Sequence, residues 1–263
     1  MLVLLPPSEG KARVTSGAPA DLGKLSLPSL APAREAVLDA LVGLCQGDAE
    51  KAREALGLSE GQRDEVTRNA GLRTAPARQA GAVYTGVLYE ALGLATLDEA
   101  ARRRARRSLL VFSGLWGAVR IGDRIPPYRC AGGARLPGIG ALPTFWREPM
   151  ARALPEAAGS ARSGLVLDLR STSYAGMWRP TGELARRTAT LRVLHEQTVG
   201  GVTRRSVVSH FNKAVKGRVV RELLTAGATP RTVEALAAAL RDLGHTVEPG
   251  PTPGALDLVV TEL

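Results

Sequence analysis

Short apolar runs alternate with stretches of helical periodicity along this 263-residue chain, and no low-complexity linker interrupts the alternation. Continuous apolar segments at residues 1–5, 109–112 and 165–169 read as buried strands, as do 191–198, 204–208 and 256–262. Between them, residues 33–69, 97–107, 210–226 and 232–243 place apolar side chains at helical spacing. Strands interleaved with helices predict an α/β fold, a mixed sheet enclosed by helices. We expect one domain over residues 1–263 with a helical subregion at about 33–70. At 44% hydrophobic, the chain is apolar enough to bury a full core.

Two local patterns refine this reading. At the turn Leu56-Gly57-Leu58-Ser59-Glu60-Gly61-Gln62, Gly57 suits a helix C-terminus, and Ser59 with Gln62 makes a capping box. The turn resembles a helix-hairpin-helix element, in which glycines admit backbone amides to a DNA phosphate, although two packed helices explain the same letters. Further on, Arg102, Arg103, Arg104, Arg106 and Arg107 wrap most of one helix, so they cannot all face one ligand. Such a run is a solvated face or the edge of a basic rim.

No segment reaches the roughly 18–20 apolar residues of a membrane helix, and the start is too short and uncharged for a secretory signal. A cytoplasmic protein without membrane contact is expected. Cys45 and Cys130 lack disulfide or zinc spacing, and His195, His210 and His245 show no metalloprotease pattern, so neither metal nor cofactor is indicated.

Charge says more. Thirty-five Lys plus Arg against 25 Asp plus Glu leave +10, which favours an anionic partner, either double-stranded DNA or a phosphorylated small molecule. Charge spread over solvated faces gives the same total. The lysines are the sharper signal, because Lys11, Lys24, Lys51, Lys213 and Lys216 are the only five. Three of them fall in the motifs below, where a compact ammonium differs in kind from a guanidinium.

Those motifs run through most of the chain. Ser113-Gly114-Leu115-Trp116-Gly117, followed by Pro127-Tyr128-Arg129, resembles the SGLYG and PYR signature of the YaaA family, with Trp116 in place of tyrosine. Pro7 to Lys11 is similar to that family's amino-terminal turn, Val83 to Leu88 to its VYxGL segment and Phe145-Trp146 to its FW pair. Asp168 to Tyr174, and Lys213 with Lys216-Gly217, extend the likeness. The resemblance implies a peroxide-stress protein that limits free iron, here without an iron site of its own. It also implies a compact α/β body whose basic cleft binds double-stranded DNA.

Two functional readings follow. In the first, Lys11, Arg120, Arg129, Lys213, Lys216 and Arg218 line one cleft and neutralise DNA phosphates, joined by Ser113, Tyr128 and Tyr174. Tyr84, Trp116, Tyr128 and Trp146 then stack on bases or pack in the core. In the second, the cleft is an active site for a nucleotide or other anionic small molecule. Lys11 or Lys213 serves there as base or nucleophile, and Glu9 or Asp123 transfers protons. A third use of the same region makes Cys130, next to Arg129, a peroxide-sensing thiolate.

Overall fold

The computed structural model describes residues 1–159, 164–199, 202–207 and 209–261. Its strands, in chain order, are β1 (Leu2–Leu5), β2 (Arg78–Gln79), β3 (Leu109–Ser113), β4 (Gly117–Arg120), β5 (Arg124–Ile125) and β6 (Arg135–Leu136). There follow β7 (Gly140–Ala141), β8 (Val166–Asp168), β9 (Thr188–Val199), β10 (Val202–Ser206), β11 (Thr246–Pro249) and β12 (Ala255–Val260). The helices are α1 (Ala31–Gln46), α2 (Ala49–Ala55), α3 (Asp64–Ala70), α4 (Ala80–Val83), α5 (Val87–Leu92) and α6 (Glu99–Ser108). The remainder are α7 (Leu142–Ala158), α8 (Thr172–Ala175), α9 (Gly182–Arg186), α10 (Ser209–Ala226) and α11 (Val233–Asp242).

The expected mixed α/β sheet is present. Its order is β11-β12-β9-β8-β1-β3-β4, with β10 paired to β9. β12, β9, β8, β1 and β3 run parallel, and antiparallel β11 and β4 close the two edges. Every residue of β1 and β3 is buried, as parallel strands covered on both faces require. The edge strands are absent from the sequence reading for a physical reason. β11 buries Val247 alone, and β4 lies inside a glycine-punctuated stretch that carries no strand periodicity. The end of the last predicted strand, at residue 262, lies outside the described residues.

Parallel strands carry their carboxyl ends to one edge. Register pairs Leu4 with Asp168 and Leu5 with Val111, so the chain leaves β1, β3 and β8 side by side at Pro6, Gly114 and Leu169. Crevices outside such strand ends are where open α/β sheets take ligands.

The glycine motif after β3 is set by packing. A Cβ on Gly114 falls 2.7 Å from the Cys130 carbonyl oxygen, and one on Gly117 falls 2.7 Å from the Trp146 ring. Gly117 also holds φ +68, a conformation that side chains disfavour. Trp146 Nε1 donates to Gly114 O at 2.8 Å, and Trp116 N donates to Ser113 Oγ at 2.9 Å. The SGLWG turn is thereby tied to the FW pair. The FW pair lies inside α7, which starts at Leu142, where Pro143 occupies an early position needing no N–H donor.

Between α2 and α3 the expected turn forms. Gly57 adopts φ +63, and Ser59 N donates to Gln62 Oε1 at 3.1 Å. Arg53 and Arg63 flank it, and each pairs with Glu50 and Glu60. On α6, Ala101 and Ala105 face inward, Arg102 and Arg103 pair with Glu99, and Arg104 Nε donates to Leu224 O at 2.7 Å at the end of α10. Much of the arginine run is therefore committed within the fold.

Candidate functional site

The loop after β1 is pinned by the segment around Tyr84. Lys11 and Tyr84 form an antiparallel bridge, Ala12 N donates to Val83 O at 2.8 Å, and Thr85 N donates to Ser8 Oγ at 3.1 Å. Tyr89 OH donates to Pro6 O at 2.7 Å, and its ring stacks on Tyr84 at 5.4 Å. The first and second motifs are thus one structural unit, and they hold Lys11 at the carboxyl edge of the sheet.

Lys11 Nζ donates to Ser8 O at 2.9 Å and lies 4.3 Å from the Tyr128 ring centroid. Beneath it runs a chain of hydroxyls, with Ser113 Oγ 2.6 Å from Tyr128 OH and Tyr128 OH 3.0 Å from Tyr84 OH. Burial pushes the Lys11 ammonium down to about 8; Glu9 opposes that shift and Arg129 adds to it. Burial also pushes the Tyr84, Tyr128 and Tyr174 phenols above their ordinary value, so they keep their protons at neutral pH.

Arg129 borders this cluster. Its guanidinium pairs with Glu9 at 3.0 Å, while Asn69 clamps its backbone, accepting from Arg129 N at 3.0 Å and donating to Arg129 O at 2.7 Å. Tyr174 OH accepts from Gly132 N at 3.0 Å. Arg170 is buried, paired with Asp168 at 2.6 Å, and set 4.3 Å from the Phe112 ring. A cavity of about 400 Å³ opens beside the cluster, lined by Lys11, Arg13, Thr67, Arg68, Pro76 and Pro127 among others.

Lys11, Glu9, Arg129, Ser113, Tyr128 and Tyr174 therefore share one edge. Lys216 lies near enough to β8 for Asp168 to favour its charge, while burial, the larger influence, lowers its pKa. Lys213 is exposed on α10. Two expected members lie elsewhere. Arg120 ends β4, opposite Leu110, and donates to the Arg107 carbonyl. Arg218 lies 5.5 Å from the Phe211 ring and lines a separate groove with Arg221 and Glu222.

Asp123 also has structural work. It accepts from Ser26 N at 3.0 Å, Ser26 Oγ at 2.8 Å and Arg120 N at 2.9 Å. Asp123→Ala should cost about 2 kcal/mol, a fall in Tm of roughly 5 °C by thermal unfolding, with ligand binding at Lys11 retained. Loss of binding with an unchanged Tm overturns that assignment.

One expectation is corrected and one open alternative is resolved. Cys130 is buried and burial pushes its thiol up to about 12, despite the opposing charge of Lys11; this setting disfavours a peroxide-sensing thiolate at neutral pH. Tyr84, Trp116, Tyr128 and Trp146 are all buried, so they pack in the core and are not presented to bases. Sequence reasoning also missed Asn69 and Arg34, which reach partners 60 to 84 residues away, and Arg170, whose partners Asp168, Tyr174 and Trp178 are local but are brought together only by burial. Among the described residues, no three His, Cys, Asp or Glu side chains gather as a metal-binding set, and no helix is long and apolar enough to cross a membrane.

Comparison with known proteins agrees with the motif reading. The family described as "Peroxide stress protein YaaA" matches residues 1–249. A UPF0246 protein of Streptomyces coelicolor is 63% identical over the full length of both chains. Another, from Corynebacterium efficiens, is 41% identical over 94% of this chain and 95% of its own. An uncharacterised Campylobacter jejuni protein is 29% identical over 82% of each. The chain belongs to the YaaA family of peroxide stress proteins.

Proposed function

We propose that this family member binds a nucleotide or other anionic small molecule at the carboxyl edge of its sheet. The observation that supports this reading is the setting of Lys11: a desolvated ammonium over Tyr128, beside a cavity of about 400 Å³ bordered by Arg13 and Arg68. A concave site with a few convergent polar groups suits a compact ligand. A duplex needs a continuous row of cations, and the separation of Arg120 and Arg218 from Lys11 does not favour one.

The chemistry follows from burial. An anion entering the cavity meets a cation whose water has already been removed, so their attraction is stronger than at the surface.

Titration calorimetry with AMP, ATP and inorganic phosphate tests this. Lys11→Ala should weaken the best of them at least tenfold, about 1.4 kcal/mol. The pH dependence has a fixed sign: protonated Lys11 attracts the anion, so wild-type affinity is highest below about pH 8 and falls as pH rises through that value. The Lys11→Ala variant should lose that dependence. If none of these anions binds, while a DNA duplex binds with steep salt dependence that Lys213→Ala, Lys216→Ala and Arg218→Ala together flatten, the DNA reading replaces this one.

A further inference from the structure

We propose that Lys11 is an imine-forming nucleophile, and that the molecule it takes is a small carbonyl compound, an aldehyde or 2-oxo acid, bearing an anionic group. This inference rests on the anion-site reading and adds to it the identity of the reacting group.

Geometry carries the argument. Of the five lysines, Lys11 alone has its amine set over tyrosine rings, at 4.3 Å from Tyr128 and 5.7 Å from Tyr84. Its fixed hydrogen-bond partner is the Ser8 carbonyl, a neutral acceptor. The nearby Glu9 carboxylate is engaged by Arg129, and among the described residues no carboxylate lies within ion-pair distance of Nζ. No direct ion pair holds this amine as an ammonium; burial, the largest influence on it, favours the neutral form against the opposing charges of Glu9 and Glu65 and the tyrosine faces, and one N–H to Ser8 fixes its direction. Beside it, Arg13 and Arg68 border the cavity that Lys11 lines, Arg68 already paired with Glu65 at 2.5 Å; Arg13 suits an anionic group set a short distance from the carbonyl.

The lowered pKa makes the reaction accessible. With a value of about 8, about a tenth of Lys11 is neutral at pH 7, against roughly one in 2,500 for an ordinary lysine at about 10.4. The neutral nitrogen adds its lone pair to the carbonyl carbon, and the carbonyl π pair moves to oxygen, which takes a proton. The resulting carbinolamine loses water after a second proton reaches its hydroxyl, leaving a protonated imine. The sum is ammonium plus carbonyl giving iminium plus water, with no change of oxidation state. The proton that Lys11 releases on becoming neutral, carried by water in the open cavity, is the one that returns for water's departure.

The test uses the full chain at pH 7 with glyoxylate as anionic aldehyde and propionaldehyde as neutral control. Sodium cyanoborohydride traps the imine, and peptide mass mapping follows all five lysines and the amino terminus. Glyoxylate should label Lys11 at least tenfold faster than Lys24, Lys51 or Lys213, and at Lys11 faster than propionaldehyde does. Lys11 labelled no faster than Lys24, or equally by both aldehydes, overturns the proposal without need of any variant. Lys11→Arg, checked for native thermal unfolding, keeps the cation, so it should bind anions calorimetrically yet form no adduct there. Anion binding without wild-type trapping rejects the imine alone; selective trapping without binding of AMP, ATP or phosphate rejects the nucleotide-class reading alone.

Discussion

Arg34→Met should lower the thermal midpoint by roughly 10 °C, the cost of removing a buried cation that organises two distant segments. Arg34 is wholly buried on α1. Its Nε donates to Trp116 O at 3.1 Å, its Nη1 to Leu27 O at 3.4 Å, and its Nη2 to Ser26 O and Ala118 O, both at 2.7 Å. Burial pushes its pKa down to about 10, opposed by Asp123. Leu27 holds φ +61, a left-handed conformation rare for a branched side chain, and its carbonyl is one of those the guanidinium gathers. Methionine fills much of the volume but leaves buried carbonyls without donors, at about 1–3 kcal/mol each before relaxation. A net loss of about 4 kcal/mol is a large share of the roughly 5–15 kcal/mol that holds a domain folded, and at about 2–4 °C per kcal/mol it gives the stated shift. Arg34→Lys should fall between the two, since three donors on a point charge cannot span the same fork. A methionine variant unfolding within 2 °C of wild type, measured calorimetrically, overturns this account; the threshold is about half a kcal/mol.

The central strands were legible because burial on both faces writes itself as an unbroken apolar run, as in Leu2–Leu5 and Leu109–Ser113. Lys11 was legible because lysine is scarce in this chain, and Ser113 with Tyr128 because one motif carries both. What failed was direction. Arg120 follows Gly117 by three residues, but β4 runs antiparallel to β3, and at about 3.4 Å per residue those steps carry its side chain about 10 Å away from the ligand edge. Arg218 sits two residues after Lys216 on a helix, and such a separation places side chains on different faces. The long-range partners of Arg34 and Asn69 leave no local signature, since a polar residue on an amphipathic helix reads as solvent-facing until the carbonyls opposite it are known.

The same contrast between local and distant information gives the second large effect. Gly217→Ala in the middle of an exposed helix should stabilise by about 1 kcal/mol through helix propensity. In α10 it should instead destabilise, by about 2 kcal/mol or more. A Cβ on Gly217 would stand 2.2 Å from Leu88 O and 2.9 Å from Ala91 Cβ, where α5 crosses α10. The obstacle includes a backbone carbonyl in the α5 helix, so relief requires the helices to part, and such overpacking costs about 1–3 kcal/mol or more beyond the propensity gain. The consequence extends beyond stability, because α5 carries Tyr89, whose hydroxyl holds Pro6 O and whose ring stacks on Tyr84. Moving α5 therefore loosens the bridge between Tyr84 and Lys11, and anion affinity should fall along with Tm. Gly217→Ala measured beside Gly43→Ala makes the point cleanly, since Gly43 also lies within a helix and a Cβ there meets nothing within 4 Å. Opposite signs for the two changes support the crossing as the reason for glycine; a stabilising Gly217→Ala with unchanged anion binding removes it. The Lys216-Gly217 and Val83–Leu88 motifs are on this account two halves of one helix contact, which explains why a site built around Lys11 needs a glycine some two hundred residues away.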